Sequence, residues 1–168
     1  MNMKIIKELK FVPFIYLLVT WCGVYSQNYM VYKDNDSFIC IDFQTKDKLI
    51  ENNSASEVIQ FAIDKTHNRG GGEIMLGKGF FELHSPLRLK DNIWLHGKRR
   101  ATELQLKAPN DRCIELIGIS NVSVSELTFT PGTNGNLTTG IYCENTSNCK
   151  IHDNFLLNFA KSGIYLTK

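Results

Sequence analysis

The sequence predicts an all-β fold, a parallel β-solenoid closed at one end by a short capping α-helix. Three observations lead there. Apolar residues follow helical spacing in the stretch 54–67. After Gly72 that spacing gives way to strand-like pieces of three or four residues bounded by Gly, Pro, Asn, Asp or charge. The C-terminal part also matches itself without gaps at an offset of 27 residues.

Taken in order, the first segment is an address. Lys4, Lys7 and Lys10 precede an apolar run over residues 11–19, and the chain turns polar after Ser26, the pattern of a secretory signal peptide cut before Gln27. Pro13 interrupts the apolar run 11–22, which is well short of the ~20 residues that cross a bilayer as a helix. No integral membrane segment is therefore expected after cleavage. A rival reading makes Cys22 a lipidated N-terminal residue, but the bulky Trp21 stands where a small residue is wanted. Either route leads out of the cytoplasm, to the medium, the periplasm or the cell surface.

The chain has 168 residues, 43% of them hydrophobic, and a formal net charge of +2, a composition suited to one soluble domain. Residues 1–26 carry three lysines and one glutamate, so the remainder holds 16 basic and 16 acidic side chains. No basic block exceeds Lys98-Arg99-Arg100, which argues against nucleic acid as a partner. Cys40, Cys113, Cys143 and Cys149 follow the export signal. Their spacing fits no zinc motif, and they read as buried thiols acting as small hydrophobes, with disulfide pairing left open.

Residues 27–53 form an N-terminal segment to which no element is assigned. Ser54, with Glu57 three positions on, then marks a helix start, and Val58, Ile59, Ala62 and Ile63 supply its apolar face up to about His67. Gly70-Gly71-Gly72 follows a helix instead of preceding one, so it reads as a helix stop and not as a phosphate cradle. Strand-like pieces come next, at 73–76, 80–83, 87–89, 93–95 and 104–106.

The self-match carries the solenoid. At the 27-residue offset Ile114 falls on Ile141, Leu116 on Cys143, Ser120 on Ser147, Asn121 on Asn148, Val122 on Cys149, Val124 on Ile151 and Glu126 on Asp153. Gly163-Ile164-Tyr165-Leu166 repeats Gly140-Ile141-Tyr142-Cys143 after 23 residues. Short alternating strands at such a period stack coil on coil, with like residues in ladders. The inward set is Ile114, Leu116, Val122, Val124, Ile141, Cys143, Cys149, Ile151 and Ile164. Asn154 is expected at a turn, with an inward side chain that bonds backbone groups.

Four outward residues are candidate sugar contacts. Lys150 and His152 flank inward Ile151 on one strand, while Tyr142 and Tyr165 extend an outward row that begins at Glu115. The tyrosines offer flat faces to pyranose rings, or else stabilise the strands with no ligand at all.

The runs Val58-Ile59-Gln60-Phe61-Ala62-Ile63-Asp64, Gly70-Gly71-Gly72-Glu73-Ile74-Met75-Leu76 and Leu87-Arg88-Leu89-Lys90-Asp91-Asn92-Ile93-Trp94-Leu95-His96-Gly97 resemble the N-terminal cap and first coil of the pectate-lyase-like superfamily. The Asn-Cys-Lys-Ile-His-Asp-Asn segment at 148–154 resembles its later coils. The likeness spans residues 54–168 and departs at Gly77, where the family often has proline. It implies a right-handed, single-stranded parallel β-helix capped by a helix, with room for about four coils up to Lys168. It also implies a polysaccharide partner, uronic-acid polymers included, and an activity of lyase, glycoside hydrolase or epimerase class. A non-catalytic glycan-binding or adhesin module, or an inactive fragment, is the alternative. The chain stops inside a repeat, so a truncated solenoid with its catalytic residues beyond Lys168 is expected. Ca²⁺ is the cofactor to expect if the activity is that of a lyase, yet only Glu126 and Asp153 pair acidic residues at coil spacing, and no metal site is assigned.

Overall fold

The computed structural model describes residues 29–107, 112–132 and 138–168. The expected signal segment, its cleavage point and Cys22 lie outside the described residues. The chain opens with three antiparallel strands, β1 (Tyr29–Asp34), β2 (Ser37–Asp42) and β3 (Lys48–Asn52), followed by helix α1 (Ala55–His67). Four coils follow. The first comprises β4 (Gly72–Leu76), β5 (Gly79–Leu83) and β6 (Leu87–Arg88); the second, β7 (Ile93–His96), β8 (Thr102–Leu106) and β9 (Arg112–Ile117). The third comprises β10 (Ser123–Ser125), β11 (Thr128–Thr130) and β12 (Thr139–Glu144); the fourth, β13 (Lys150–His152), β14 (Phe155–Leu156) and β15 (Ser162–Thr167).

Each coil gives one strand to each of three sheets, in strict rotation. The first sheet holds β4, β7, β10 and β13, extended by the N-terminal strands in the order β13-β10-β7-β4-β1-β2-β3; the second holds β5, β8, β11 and β14; the third holds β6, β9, β12 and β15. All pairings between coils are parallel. The protein is a parallel β-helix.

The register is set by three inward ladders, one per sheet. Ile74, Leu95, Val124 and Ile151 align in the first; Phe81, Leu104, Phe129 and Leu156 in the second; Leu87, Ile114, Ile141 and Ile164 in the third. Members in coils 1 to 3 are buried, each contributing roughly 1.5–3 kcal/mol of transfer free energy. Slipping any strand by one residue would turn its ladder side chain out to water, so these rows fix the pairing. The expected matches Ile114 with Ile141, Leu116 with Cys143, Val124 with Ile151, and Ser120 with Ser147 all pair as anticipated.

Coil 4 departs from the expected burial. Cys149 and Ile151 are half-buried and Ile164 is 40% exposed, because among the described residues no coil packs on their far side. Asn154 fulfils its expected role: its amide donates to the Val124 carbonyl at 2.8 Å and accepts from the Leu127 N–H at 3.1 Å.

The N-terminal end is covered twice. Helix α1 buries Val58, Ile59, Ala62 and Ile63 in the shared core, and β1 adds itself parallel to β4. Ser54 caps the helix by accepting from the Glu57 N–H at 3.4 Å. The reciprocal half of the capping box is rerouted through Asn52, which accepts from the Ser54 N–H at 2.8 Å and donates to the Glu57 carboxylate at 2.9 Å. Gly77 suits its position better than a proline for a local reason. Its N–H donates to the Val31 carbonyl at 2.7 Å, a bond that proline lacks the hydrogen to make.

Candidate functional site

The third sheet concentrates chemistry on its outer face. Its strands alternate, so the residues between the buried Leu87, Ile114 and Ile141 positions project outward, and the register aligns Arg88, Glu115, Tyr142 and Tyr165 in one row across four coils. The Tyr142 and Tyr165 rings stack at 5.6 Å with planes 7° apart. From coil 2 the Arg112 guanidinium lies 3.6 Å from the Tyr142 ring centre, and the Lys161 ammonium lies 4.9 Å from that of Tyr165. Tyr142 is thus enclosed between a guanidinium and a second ring. It is half-buried, whereas Tyr165 is 38% exposed.

The polar partners are fixed as well. Glu115 receives Arg88 Nε on one oxygen and Arg112 Nη1 on the other, each at 3.2 Å. The Tyr142 hydroxyl donates to Glu144 Oε2 at 2.9 Å. Hydrogen bonding to Glu144, and after it burial, raises the Tyr142 phenol above its ordinary pKa of 10.0. At neutral pH the phenol is therefore a held proton donor beside a carboxylate, with a delocalised cation against its ring.

Lys150 and His152 stand on another face. They project from β13 on the first sheet, where Glu73, Trp94, Ser123 and Lys150 form one outward row and Met75, His96, Ser125 and His152 the next. His152 Nδ1 lies 2.8 Å from Asp153 Oδ2 and its Nε2 lies 3.4 Å from Ser123 Oγ. Lys150 borders a groove of about 340 Å³ together with Trp94, Glu73 and Ser123. The four expected sugar contacts therefore divide into two pairs on separate sheets. The structure adds Arg88, Arg112 and Lys161 to the third-sheet face, and it places Glu144, a candidate carboxylate of the sequence, against Tyr142. Two of these are legible in the sequence: Arg88 precedes Glu115 by the same 27 residues that govern the repeat, and Glu144 follows Tyr142 at the two-residue spacing of one strand face.

Ca²⁺ does not fit either place. It seeks six to eight oxygens, and both oxygens of Glu115 already face guanidinium donors. Glu126 lies 3.7 Å from Arg99 and Asp153 is paired with His152. Among the described residues no three His, Cys, Asp or Glu side chains converge as a metal cage.

No protein-family model matches the chain, and no curated protein matches it. Among solved structures it is similar to the A-module of the mannuronan C-5 epimerase AlgE4 of Azotobacter vinelandii, with a TM-score of 0.45 and 20% sequence identity. The similarity covers 67% of this chain and 44% of that one, so the chain spans less than half the length of the structure it matches.

Proposed function

We propose that this is an exported, pectate-lyase-like β-helix protein that binds an acidic polysaccharide across the outer face of the third sheet and acts on its uronate residues. The observation that carries the reading is the Arg112, Tyr142 and Glu144 arrangement, a cation against the ring of a phenol whose hydroxyl donates to a carboxylate, on the outer face of the sheet. The proton at C5 of a uronate is weakly acidic because the neighbouring carboxylate resists further negative charge. A guanidinium that pairs with that carboxylate lowers this cost, and a positioned acid and base then move the proton. Glu144 is suited to accept it and the Tyr142 phenol, on the same side of the sugar, to protonate the departing O4, which serves β-elimination with cleavage of the C4–O4 bond. Hydrolysis needs two available carboxylates flanking one bond, and Glu115 is clasped by arginines on both oxygens.

A second reading, glycan binding without catalysis, is favoured by Tyr165, which is 38% exposed and continues the row beyond the enclosed Tyr142. One assay separates the two. Purified protein is incubated with polymannuronate, polyguluronate and polygalacturonate, following ultraviolet absorbance of unsaturated ends, anomeric NMR signals and new reducing ends. Unsaturation or inverted C5 signals that vanish in Tyr142→Phe and Glu144→Gln, with unchanged circular dichroism, support uronate chemistry. Reducing ends without unsaturation would point to hydrolysis instead, and retained binding with no product on any polymer would leave the binding reading.

A further inference from the structure

The groove on the first sheet has features the third-sheet reading does not use. Trp94 is 43% exposed there, although an indole gains by being buried. Its position is fixed, since Nε1–H donates to Ser125 Oγ at 3.0 Å and one ring face lies against the His96 imidazole, centres 4.7 Å apart. His96 is itself held, 8% exposed, with Nε2 2.7 Å from Glu73 Oε1. Glu73, His96 and Ser125, three residues from three successive coils, thus hold one aromatic ring in place beside an open groove. A platform already immobilised loses little side-chain entropy on binding, which is the physical advantage of preorganisation.

The rest of the groove is polar. The Asn121 and Asn148 amides are joined by a 2.6 Å hydrogen bond, yet each nitrogen keeps a second N–H outside the ladder. Ser123 lies between Trp94 and Lys150 in the same row. No described carboxylate lies within ion-pairing distance of the Lys150 amine, whereas the Glu73 carboxylate is engaged by His96. Trp94 and Lys150 are two strands apart, roughly 10 Å at the usual spacing of parallel strands. That separation suits neighbouring residues of an oligosaccharide better than two groups on one sugar ring.

We propose that this groove is a second glycan site, holding an acidic oligosaccharide with one pyranose ring stacked on Trp94 and an anionic substituent of a neighbouring sugar paired with Lys150. The aromatic face meets the C–H face of the ring, and the amides and Ser123 meet its hydroxyls. The anionic group is a carboxylate or a sulfate ester, both of which an ammonium accepts as a point charge. This site is independent of the third-sheet chemistry and positions the polymer without transforming it.

The test uses the full chain carrying Tyr142→Phe, so that binding is read without turnover. Tryptophan emission is followed during titration with oligouronates, sulfated oligosaccharides and neutral oligoglucans, and Trp94→Phe in the same background isolates the Trp94 contribution. Saturable quenching by an acidic ligand, weakened about tenfold by Lys150→Ala, is the expected result, with a similar loss of affinity in Trp94→Ala read by titration calorimetry because that variant lacks the emitting ring. Whether uronates or sulfated sugars give it identifies the substituent. Ser125→Ala, which frees the indole while leaving the ring in place, is expected to weaken binding less and keeps the proposal testable if Trp94→Ala fails to fold. Equal affinity for neutral and acidic ligands, or emission that no ligand changes, overturns the proposal. Product formation at the third sheet is measured separately, so either proposal fails alone.

Discussion

Individual residues show most directly how the coils are joined. Asn154 satisfies two backbone groups of the preceding coil, at Val124 and Leu127, from a position that in that coil belongs to Leu127 itself. Asn154→Ala leaves both groups without their partner, and a loss of about 1–3 kcal/mol is expected in urea unfolding. The cysteines argue a second residue-scale point. Cys40, Cys113 and Cys143 are buried, and burial pushes their thiols up to about 12, about 12 and about 11 from an ordinary value of 9.0. A raised folded pKa means the associated stability is fully present below pH 9.0 and is lost as pH climbs toward 11 to 12. Tm should therefore hold through neutral pH and fall on the alkaline side, and Cys113→Val should flatten that fall. Half-buried Cys149 should be the first of these four to take up iodoacetamide in the folded protein, read by mass spectrometry.

At the scale of the element, the turns entering the first sheet repeat one device. Asn92, Asn121 and Asn148 take φ of 61°, 58° and 49°, and Gly71 takes 111° at the equivalent point of coil 1. Side-chain amides link the three asparagines, at 3.1 Å and 2.6 Å. Asparagine tolerates this left-handed backbone and glycine adopts it freely, whereas an alanine there is strained by roughly 1–2 kcal/mol. A Cβ on Gly71 would also come within 2.4 Å of the Asn92 carbonyl oxygen. Asn121→Gly should thus lose only the ladder bonds, and Asn121→Ala should lose those and add strain. Their difference in unfolding free energy separates the two causes. The helix and the coil strands were legible because spacing and alternation are local properties. The strands β1 to β3 were not assigned, although Tyr29 and Val31 alternate toward the core and Asn35, at φ 52°, sits at the reversal between β1 and β2. What makes β1 a member of the first sheet is its parallel pairing with β4, a contact some 45 residues away in sequence.

For the whole molecule, stability is shared between neighbouring coils, since each inward side chain packs chiefly on the coils before and after it. Phe129 sits in the second-sheet ladder between Leu104 and Leu156 and is fully buried. Phe129→Ala should cost about 3–5 kcal/mol. Hydrogen exchange should speed up in β8, β11 and β14 while α1 and β4 keep their protection, and uniform loss across the chain would contradict nearest-neighbour coupling.

By itself the sequence determined the coil period, the later members of the first and third inward ladders, the helix and the outward direction of Tyr142, Tyr165, Lys150 and His152, because each follows from alternation within a strand and repetition along the chain. Only the tertiary structure decided which outward residues share a face. A β-helix turns three times per coil, and the position of each turn assigns a strand to one sheet or another. That separated the tyrosines from Lys150 and His152, brought Arg112 to Tyr142, and fixed Trp94 beside a groove. Such partners are brought together by folding across coils, and no spacing within a single strand encodes them.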